Sequence, residues 1–400
     1  MTKSQNLHES QDQSAARLEK IITNILKLPG VKSDALRDLL AATKSLRPPR
    51  IMVIGRSRSG KSSLINAICG VYISKVSHVK PETGKAEWRK YYKDGADLVH
   101  ILDTRGFQES EKPEHGDLDA DTALNSLKKV VDQDCPDVVL FVCKADQVGA
   151  AIQEDLNLCS EIYDYIYSRY RLKLPVIGVL TQCDKLVPPY EKMGLHANNP
   201  EVKKSIEEAE DLLKCYLAEK LGSNFTKTVI PTASYAQYQP GDYGLIIPEK
   251  DFRWNIPHLV ETMMKYTPKK QGGLARMAGI EKFQLTVANT IVGACAGVAG
   301  SVSATTPIPG SNLPVVGAIQ SFMVMYIAWL AGRKLSDSSI EEFIKATGVG
   351  VGINAGGVGL GDVAVQFIPG VGQVISAIVS GTSTHVLGEA AIQYFLKKSP

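Results

Sequence analysis

Short apolar runs alternate with longer segments of helical spacing between residues 50 and 270. The apolar runs predict strands at 51–54, 87–92, 98–102, 138–143, 176–180 and 228–230. Between them, apolar residues recur every three or four positions and predict helices at 61–69, 122–132, 152–170, 200–221 and 257–266. Strands and helices that alternate in this way favour a parallel sheet covered by helices on both faces. The pattern therefore predicts an α/β fold with a doubly wound, mostly parallel sheet.

The pattern changes on both sides of this region. Apolar residues between 15 and 46 have helical spacing around a break at Pro29-Gly30, which predicts two short helices. Residues 284–332 contain no charged side chain and include two uncharged segments of transmembrane length, at 286–304 and 313–331. The chain is therefore predicted to have three domains: an N-terminal helical segment at 1–47, the α/β domain at 48–270, and an all-α hydrophobic domain at 271–400.

The hydrophobic domain has two possible environments. The segment 313–331 carries large apolar side chains and is the stronger spanning candidate, whereas 286–304 is rich in Gly, Ser and Thr. Lys282 and Arg333 flank the pair and would keep both ends in the cytoplasm. We expect a cytoplasmic protein that is attached to membrane lipid through residues 284–388. A tightly packed soluble bundle remains the alternative, because small residues permit close helix contacts in either setting.

Composition narrows the partners and the compartment. The net charge of +3 over 400 residues is close to neutral and gives no argument for nucleic-acid binding, which favours a dense basic stripe, so we expect no nucleic-acid partner. The seven cysteines are scattered and show no Cys-x-x-Cys spacing, which is typical of reduced side chains inside an intracellular protein. Ligands therefore have to be inferred from local motifs.

The most specific motif covers residues 55–63, which read Gly-Arg-Ser-Arg-Ser-Gly-Lys-Ser-Ser between a predicted strand and a predicted helix. Gly55 and Gly60 would let the backbone curl so that its N–H groups point at phosphates, assisted by the positive end of the helix dipole. Lys61 would reach the β- and γ-phosphates, and Ser62 would ligate Mg²⁺. The other loop residues assigned to this phosphate site are Arg58, Ser59 and Ser63.

A second motif follows the strand at 98–102 and reads Asp103-Thr104-Arg105-Gly106. In phosphate-loop proteins, a carboxylate at this point holds Mg²⁺ through water, and the glycine N–H contacts the γ-phosphate. We assign these roles to Asp103 and Gly106.

A third motif, Thr181-Gln182-Cys183-Asp184, follows the strand at 176–180 and so lies at the carboxyl edge of the sheet, where ligands of such folds bind. The Asp184 carboxylate can accept hydrogen bonds from N1–H and from the 2-amino group of guanine, whereas adenine has no such donor pair. Asp184 therefore favours GTP over ATP, and an ATPase in which this residue is incidental is the alternative. Ala233, after the last strand, could add a backbone contact to the guanine oxygen.

Over about residues 48–270 these motifs resemble the Era-like branch of the translation-factor-related GTPases. The resemblance implies a switch threonine at Thr83, which would close over Mg²⁺ and the γ-phosphate in the GTP state. Phe107 stands where Ras-like proteins carry the glutamine that orients water, which implies slow hydrolysis. Thr181 and Gln182 replace the more usual Asn and Lys, so the affinity for nucleotide is expected to be modest.

Arg58 occupies the loop position at which guanylate-binding and atlastin-like GTPases carry an arginine. By this resemblance Arg58 is an internal arginine finger, placed on the charge between the β- and γ-phosphates when two G domains form a homodimer. The alternative is a solvent-facing arginine that pairs with a phosphate or with the acidic loop at 109–121.

The segment after Gln271 resembles the Gly-rich hydrophobic helical domain that follows Era-like G domains in many bacterial proteins, with a fainter likeness to immunity-related GTPases. The combined expectation is a switch that binds GTP or GDP with Mg²⁺ and hydrolyses GTP slowly. A GTP-binding scaffold that never hydrolyses its ligand is the main alternative.

Overall fold

The structure is a computed structural model that describes residues 23, 42–43, 46–56, 58–73, 88–93, 96–103, 120–149, 152–186, 199–241, 244–305, 313–333, 335, 338–347 and 384–397. The predicted N-terminal helices lie almost wholly outside these residues. Packing divides the chain into two units. The sheet unit comprises Pro48–Tyr91 and Leu98–Thr267, and the helical unit comprises Met1–Arg47, Tyr92–Asp97 and Pro268–Pro400.

Six strands form one sheet in the order β2-β3-β1-β4-β5-β6. They are β1 (Arg50–Ile54), β2 (Trp88–Lys93), β3 (Ala96–Asp103), β4 (Val138–Lys144), β5 (Val176–Thr181) and β6 (Phe225–Pro231). Strand β1 is parallel to β3 and β4, and β5 is parallel to β4 and β6. Only two residues separate β2 from β3, so this pair has to be antiparallel. The predicted doubly wound, mostly parallel sheet is confirmed.

The central strands β1, β4 and β5 are apolar along most of their length because both of their faces are covered. Phe141 in β4 and Val179 in β5 are completely buried. In β1, Ile51 lies opposite Ile101 of β3 and Val138 of β4. The chain continues from β1 to β3 on one side and later to β4 on the other. Ligands of such sheets bind beyond the carboxyl ends of the strands where the order reverses in this way.

The described helices of the sheet unit begin and end within two residues of their predicted bounds. They are α1 (Lys61–Cys69), α2 (Ala120–Gln133), α3 (Gln153–Tyr170), α4 (Pro200–Leu221) and α5 (Ile256–Tyr266). The start of α4 shows why the sequence predicts them well. Asn199 accepts a hydrogen bond from the Glu201 amide, and Pro200 occupies the first helical position, so the helix is capped where the pattern begins.

A small antiparallel sheet of β7 (Ala236–Tyr238) and β8 (Ile246–Asp251) was not predicted from the sequence. Strand β7 has only three residues, and β8 reads Ile-Ile-Pro-Glu-Lys-Asp, which lacks apolar alternation. Neither strand therefore gives the period-two signal on which a strand prediction depends.

The described part of the helical unit contains α6 (Gln271–Ala278), α7 (Glu281–Thr305), α8 (Leu313–Leu330), α9 (Ser338–Thr347) and α10 (Thr384–Phe395). Helices α7, α8 and α10 pack against one another. Gly388 of α10 permits a close approach to α7, because a Cβ at this position would lie 2.5 Å from Cγ2 of Val292.

In the described part of α8, every side chain from 321 to 330 is buried, so α8 is a central helix of the bundle. An apolar helix reads the same in sequence whether protein or lipid surrounds it. Among the described residues, one helix, Glu281–Val302 within α7, is long and apolar enough to cross a membrane by length and composition alone. Half of its apolar stretch is buried inside the protein.

Candidate nucleotide-binding site

The loop between β1 and α1 begins and ends with glycines that no other residue would replace easily. Gly55 has φ +151°, and a Cβ there would lie 2.1 Å from the carbonyl oxygen of Val142. Gly60 has φ +89° and precedes the first helical residue, Lys61. Helix α1 has no acidic residue in its first turn, so the positive end of its dipole is not neutralised by its own side chains. The loop therefore has the backbone form of an anion site.

Lys61 is buried, with only 3% of its surface exposed. Its ammonium donates a hydrogen bond to the carbonyl of Gly55 and another, of 2.6 Å, to the carbonyl of Arg56. Both acceptors belong to the loop itself and carry no net charge. A phosphate oxygen in the loop would be a stronger acceptor for the same ammonium, because charge-assisted hydrogen bonds are about twice as strong as neutral ones.

Two serine hydroxyls in this loop are buried without a hydrogen-bond partner among the described residues. They belong to Ser59, which is 3% exposed, and Ser62, which is 7% exposed. Buried hydroxyls normally have a partner, so each of these two oxygens is open to a ligand. Ser62 lies in the first turn of α1, and its oxygen is a hard donor of the kind that Mg²⁺ prefers. The residues present therefore fit the magnesium that such loops bind.

The remaining predicted metal and switch residues cannot be placed. Asp103 is the last residue of β3, at the carboxyl edge of the sheet, but its side chain is outside the described part of the structure. Thr83, Gly106 and Phe107 also lie outside the described residues. Their roles stay predictions.

The third motif contacts the phosphate loop. Thr181 ends β5, and its hydroxyl donates to the carbonyl of Ser59 at 2.5 Å. Gln182 has a left-handed backbone, φ 57°, and its side-chain amide donates to the carbonyl of Arg58 at 3.1 Å. Asp184 follows in a short 3₁₀ turn and is half-buried. The structure thus brings the loop and the 181–184 motif together, and residues 181 and 182 brace the loop backbone.

Ala233 is completely buried, and its amide already has a partner. The Ala233 N–H donates to the carbonyl of Trp254 at 3.2 Å, and the Trp254 N–H donates back to the Ala233 carbonyl at 2.9 Å. A contact from Ala233 to a guanine oxygen would require this amide to share or exchange its acceptor. Sequence reasoning did not identify Trp254, because an antiparallel bridge between distant loops leaves no local signal.

The two arginines of the loop differ in their surroundings. Arg58 is exposed and has a left-handed backbone, φ 59°. The acidic loop at 109–121, its predicted alternative partner, lies mostly outside the described residues. Arg56 lies 3.7 Å from the carboxylate of Glu154 and 3.8 Å from that of Asp155, both in the first turn of α3. Arg56 was not singled out from the sequence, and its ion pairs fasten the loop to α3.

Residues 50–182 match the family model described as "50S ribosome-binding GTPase". The chain is 30% identical over 138 residues to GTPase Era of Treponema pallidum, which covers 34% of this chain and 40% of that protein. It is 33% identical over 115 residues to GTPase Der of Bacillus thuringiensis, which covers 29% of this chain and 25% of that protein. The chain therefore spans less than half the length of these curated relatives.

Among solved structures, Era of Aquifex aeolicus bound to GDP·AlF₄⁻ is 20% identical, and the match covers 62% of this chain and 66% of that one with a TM-score of 0.32. Residues 50–182 are therefore similar in sequence to GTPases, Era and Der among them.

Proposed function

We propose that this protein is a switch that binds GTP with Mg²⁺ and slowly hydrolyses it to GDP and phosphate. One observation carries the proposal: where the glycine loop enters α1, the buried Lys61 ammonium is followed by the Ser62 hydroxyl, which has no hydrogen-bond partner among the residues that the structure describes. The similarity of residues 50–182 to GTPases supports the same conclusion.

In this proposal Lys61 leaves the loop carbonyls and binds the β- and γ-phosphates. The amides of the loop bind the remaining phosphate oxygens, and Ser62, Asp103 and Thr83 hold Mg²⁺. Magnesium, when bound, would neutralise negative charge on the phosphate oxygens. A water oxygen attacks the γ-phosphorus, the bond from that phosphorus to the bridging oxygen breaks, and GDP leaves with the electron pair while the water proton passes to phosphate.

Hydrolysis is expected to be slow in the monomer, because Phe107 cannot orient water as a glutamine would. Arg58 would supply the missing positive charge when two G domains form a homodimer. Its exposure and its place in the loop support this role. The scaffold that binds GTP without hydrolysing it remains the competing function, and only the measured turnover separates the two.

The base would be selected by Asp184, and substitution of this residue is the sharpest test. We expect calorimetry of the full chain to detect GDP and a non-hydrolysable GTP analogue, with ADP at least about a hundredfold weaker, because two charge-assisted hydrogen bonds are lost. Asp184→Asn should reverse the preference toward xanthosine nucleotides, since xanthine has an oxygen in place of the 2-amino group and the Asn amide can donate to it.

Asp146→Asn is the matched control, because Asp146 is an exposed carboxylate in the 3₁₀ turn that follows β4. This control should keep the guanine preference. A wild-type chain that binds no guanine nucleotide while Mg²⁺ is plentiful would refute the proposed function. Equal binding of GDP and ADP would instead favour the ATPase.

The helical unit is proposed to attach a cytoplasmic GTPase to membrane lipid through α7. On α7, the hydroxyls of Thr286, Thr290 and Ser301 donate to carbonyls four residues earlier, at 2.8, 3.0 and 2.8 Å. These hydroxyls therefore need no water, which supports an apolar neighbour. The expected absence of a nucleic-acid partner stays a prediction.

Carbonate extraction of the full chain tests the attachment. Gly293→Lys places a charge in open space on α7, and Ala346→Lys does so on the exposed side of α9. We expect the wild type and Ala346→Lys to stay in the membrane fraction and Gly293→Lys to be released. A wild type that is fully released would favour the soluble bundle.

A further inference from the structure

Residues 244–255, which comprise β8, the two residues before it and the four residues that lead to α5, contact three parts of the sheet unit that the proposed function uses. We call residues 244–255 the brace. The brace touches the end of α1, the residues that lead from α1 toward Thr83, and the loop after β6 that contains Ala233. Sequence reasoning assigned no role to any residue of the brace.

Arg253 fixes the brace to α1. Its guanidinium donates to both carboxylate oxygens of Asp251, at 2.8 and 2.7 Å, and through Nη1 to the carbonyl of Ala67 at 2.7 Å. Ala67 lies in the last turn of α1, where the helix dipole favours a positive charge. The hydrogen bonds from Arg253 lower the pKa of Asp251, so this carboxylate is ionised at neutral pH.

The base-side end of the brace holds the loop after β6. Trp254 exchanges two backbone hydrogen bonds with Ala233, at 3.2 and 2.9 Å. The next residue, Asn255, has φ 61° and donates from its side-chain amide to the carbonyl of Pro231 at 2.9 Å. The Ala233 amide therefore has the Trp254 carbonyl as its acceptor, and the guanine oxygen of the proposed ligand would compete for the same N–H.

The other end of the brace holds the residues that leave α1. Val71 forms a bridge with Leu245, and the Tyr72 amide donates to the carbonyl of Gly244 at 3.0 Å. The rings of Tyr72 and Tyr238 lie 5.7 Å apart. Residues 71–73 begin the connection that continues to Thr83, so the brace holds the entry of the proposed switch segment.

We propose that the brace couples the bound guanine base to residues 71–73, which lead toward Thr83. Arg253 is the residue that positions the brace. This rests on the proposed function, because it requires guanine to bind beside Ala233. When guanine takes the Ala233 amide, the Trp254 carbonyl loses or shares its donor. The brace then shifts, and its contacts carry the shift to Tyr72.

The test uses the full chain and two readouts. The first is the preference for GDP over ADP at equilibrium. Arg253→Ala should lower this preference about tenfold, because the charge-assisted hydrogen bond that fixes the brace to the Ala67 carbonyl is lost, and the brace holds the Ala233 loop through Trp254. Arg253→Lys should restore part of it. A general loss of folded protein would weaken GDP and ADP binding in the same proportion and leave the ratio unchanged.

The second readout is a tryptophan reporter at the entry of the switch segment, introduced as Tyr72→Trp and compared with the chain that lacks it. With saturating nucleotide, GDP and ADP should give different emission from the reporter. The difference should disappear in Arg253→Ala although both nucleotides are bound.

Arg169→Ala is the matched control, because Arg169 also pairs with a carboxylate, that of Asp132 at 3.9 Å, but on α3. Asn255→Asp keeps the shape of the side chain but removes its donor to the Pro231 carbonyl. This variant should also lower the preference for GDP over ADP. A preference unchanged in both Arg253→Ala and Asn255→Asp, or a reporter signal that persists in Arg253→Ala, overturns the brace while leaving the GTP site intact. Absence of any guanine binding by the wild type overturns both proposals.

Discussion

Lys61 in the sheet unit and Arg276 in the helical unit are both buried basic side chains, and they are held in different ways. Lys61 in the sheet unit is 3% exposed and binds two carbonyls of its own loop. Arg276 in the helical unit is 9% exposed, lies 4.9 Å from the ring centre of Trp329, and donates to the carbonyl of Asp97 at 3.2 Å. Burial lowers the pKa of Arg276 to about 10.

The difference shows that burial of a cation does not by itself mark a binding site. Lys61 donates to two neutral loop carbonyls that a phosphate can replace, and the hydroxyls of Ser59 and Ser62 in the same loop have no hydrogen-bond partner among the described residues. Arg276 instead contacts the ring of Trp329 and the carbonyl of Asp97 inside the helical unit. A ligand could replace these partners only if the packed helices separated. We therefore expect Lys61 to affect binding and Arg276 to affect stability.

Loss of the Lys61 ammonium should have the largest effect. Lys61→Ala removes two charge-assisted contacts to phosphate, so we expect the dissociation constants of GTP and GDP to rise about a thousandfold. Its unfolding midpoint should stay within roughly 4 °C of the wild type, which corresponds to about 1 kcal/mol. Calorimetry and thermal unfolding measure the two quantities.

Lys220→Ala serves as the control for this variant, because Lys220 is exposed near the end of α4. It should change neither quantity. If Lys61→Ala kept its nucleotide affinity and lost stability instead, the contrast between the two buried cations would fail.

Arg58 is an exposed cation of the same loop. If it acts in a homodimer, the rate of GTP turnover per molecule should rise with protein concentration. Arg58→Ala should remove this rise and lower turnover at high concentration by about a hundredfold, the cost of removing one donor to the transition-state charge. GTP affinity should change little.

Arg171→Ala is matched to this change, because Arg171 is also exposed and also has a left-handed backbone, φ 53°. It should keep the dependence on concentration. Turnover that is independent of concentration in the wild type would remove the role of Arg58 as a finger and leave the slow switch in place.

The two units also differ in how much of their structure could be predicted from the sequence. The sheet unit was predicted closely because its signals are local: apolar runs predict β1 and β5, and a glycine loop with Lys61 predicts the phosphate site. The partners of Thr181 and Ala233 could not be predicted, because their acceptors, Ser59 and Trp254, are distant in the chain. These contacts exist only once the strands have been brought side by side.

The helical unit was predicted less well for a physical reason. Helices α7 and α8 carry no charged side chain from 284 to 330, so hydropathy gives their lengths but not whether protein or lipid covers them. The helix α8 reads as the stronger spanning segment in sequence and is central in the bundle. Only the packing partners, such as Val292 against Gly388, separate the two environments.

Substitution of Arg276 should have the smallest effect of the three, and only on stability. Arg276→Ala loses a desolvated cation–π contact and a hydrogen bond, worth about 2 kcal/mol and about 1 kcal/mol, and recovers part of the cost of burying the charge. We expect a net loss of about 2 kcal/mol in the free energy of unfolding, measured by denaturant titration.

Nucleotide affinity should remain within about twofold of the wild type, since the cation–π partner Trp329 and the acceptor Asp97 take no part in the proposed site. Arg333→Ala is the control within the same unit. Arg333 pairs with Glu342 at 3.1 Å, but its side chain is 56% exposed, so this ion pair should contribute no more than about 0.5 kcal/mol. If Arg276→Ala and Arg333→Ala lowered the free energy of unfolding equally, burial against Trp329 would add nothing to the contribution of Arg276, and this prediction would be wrong.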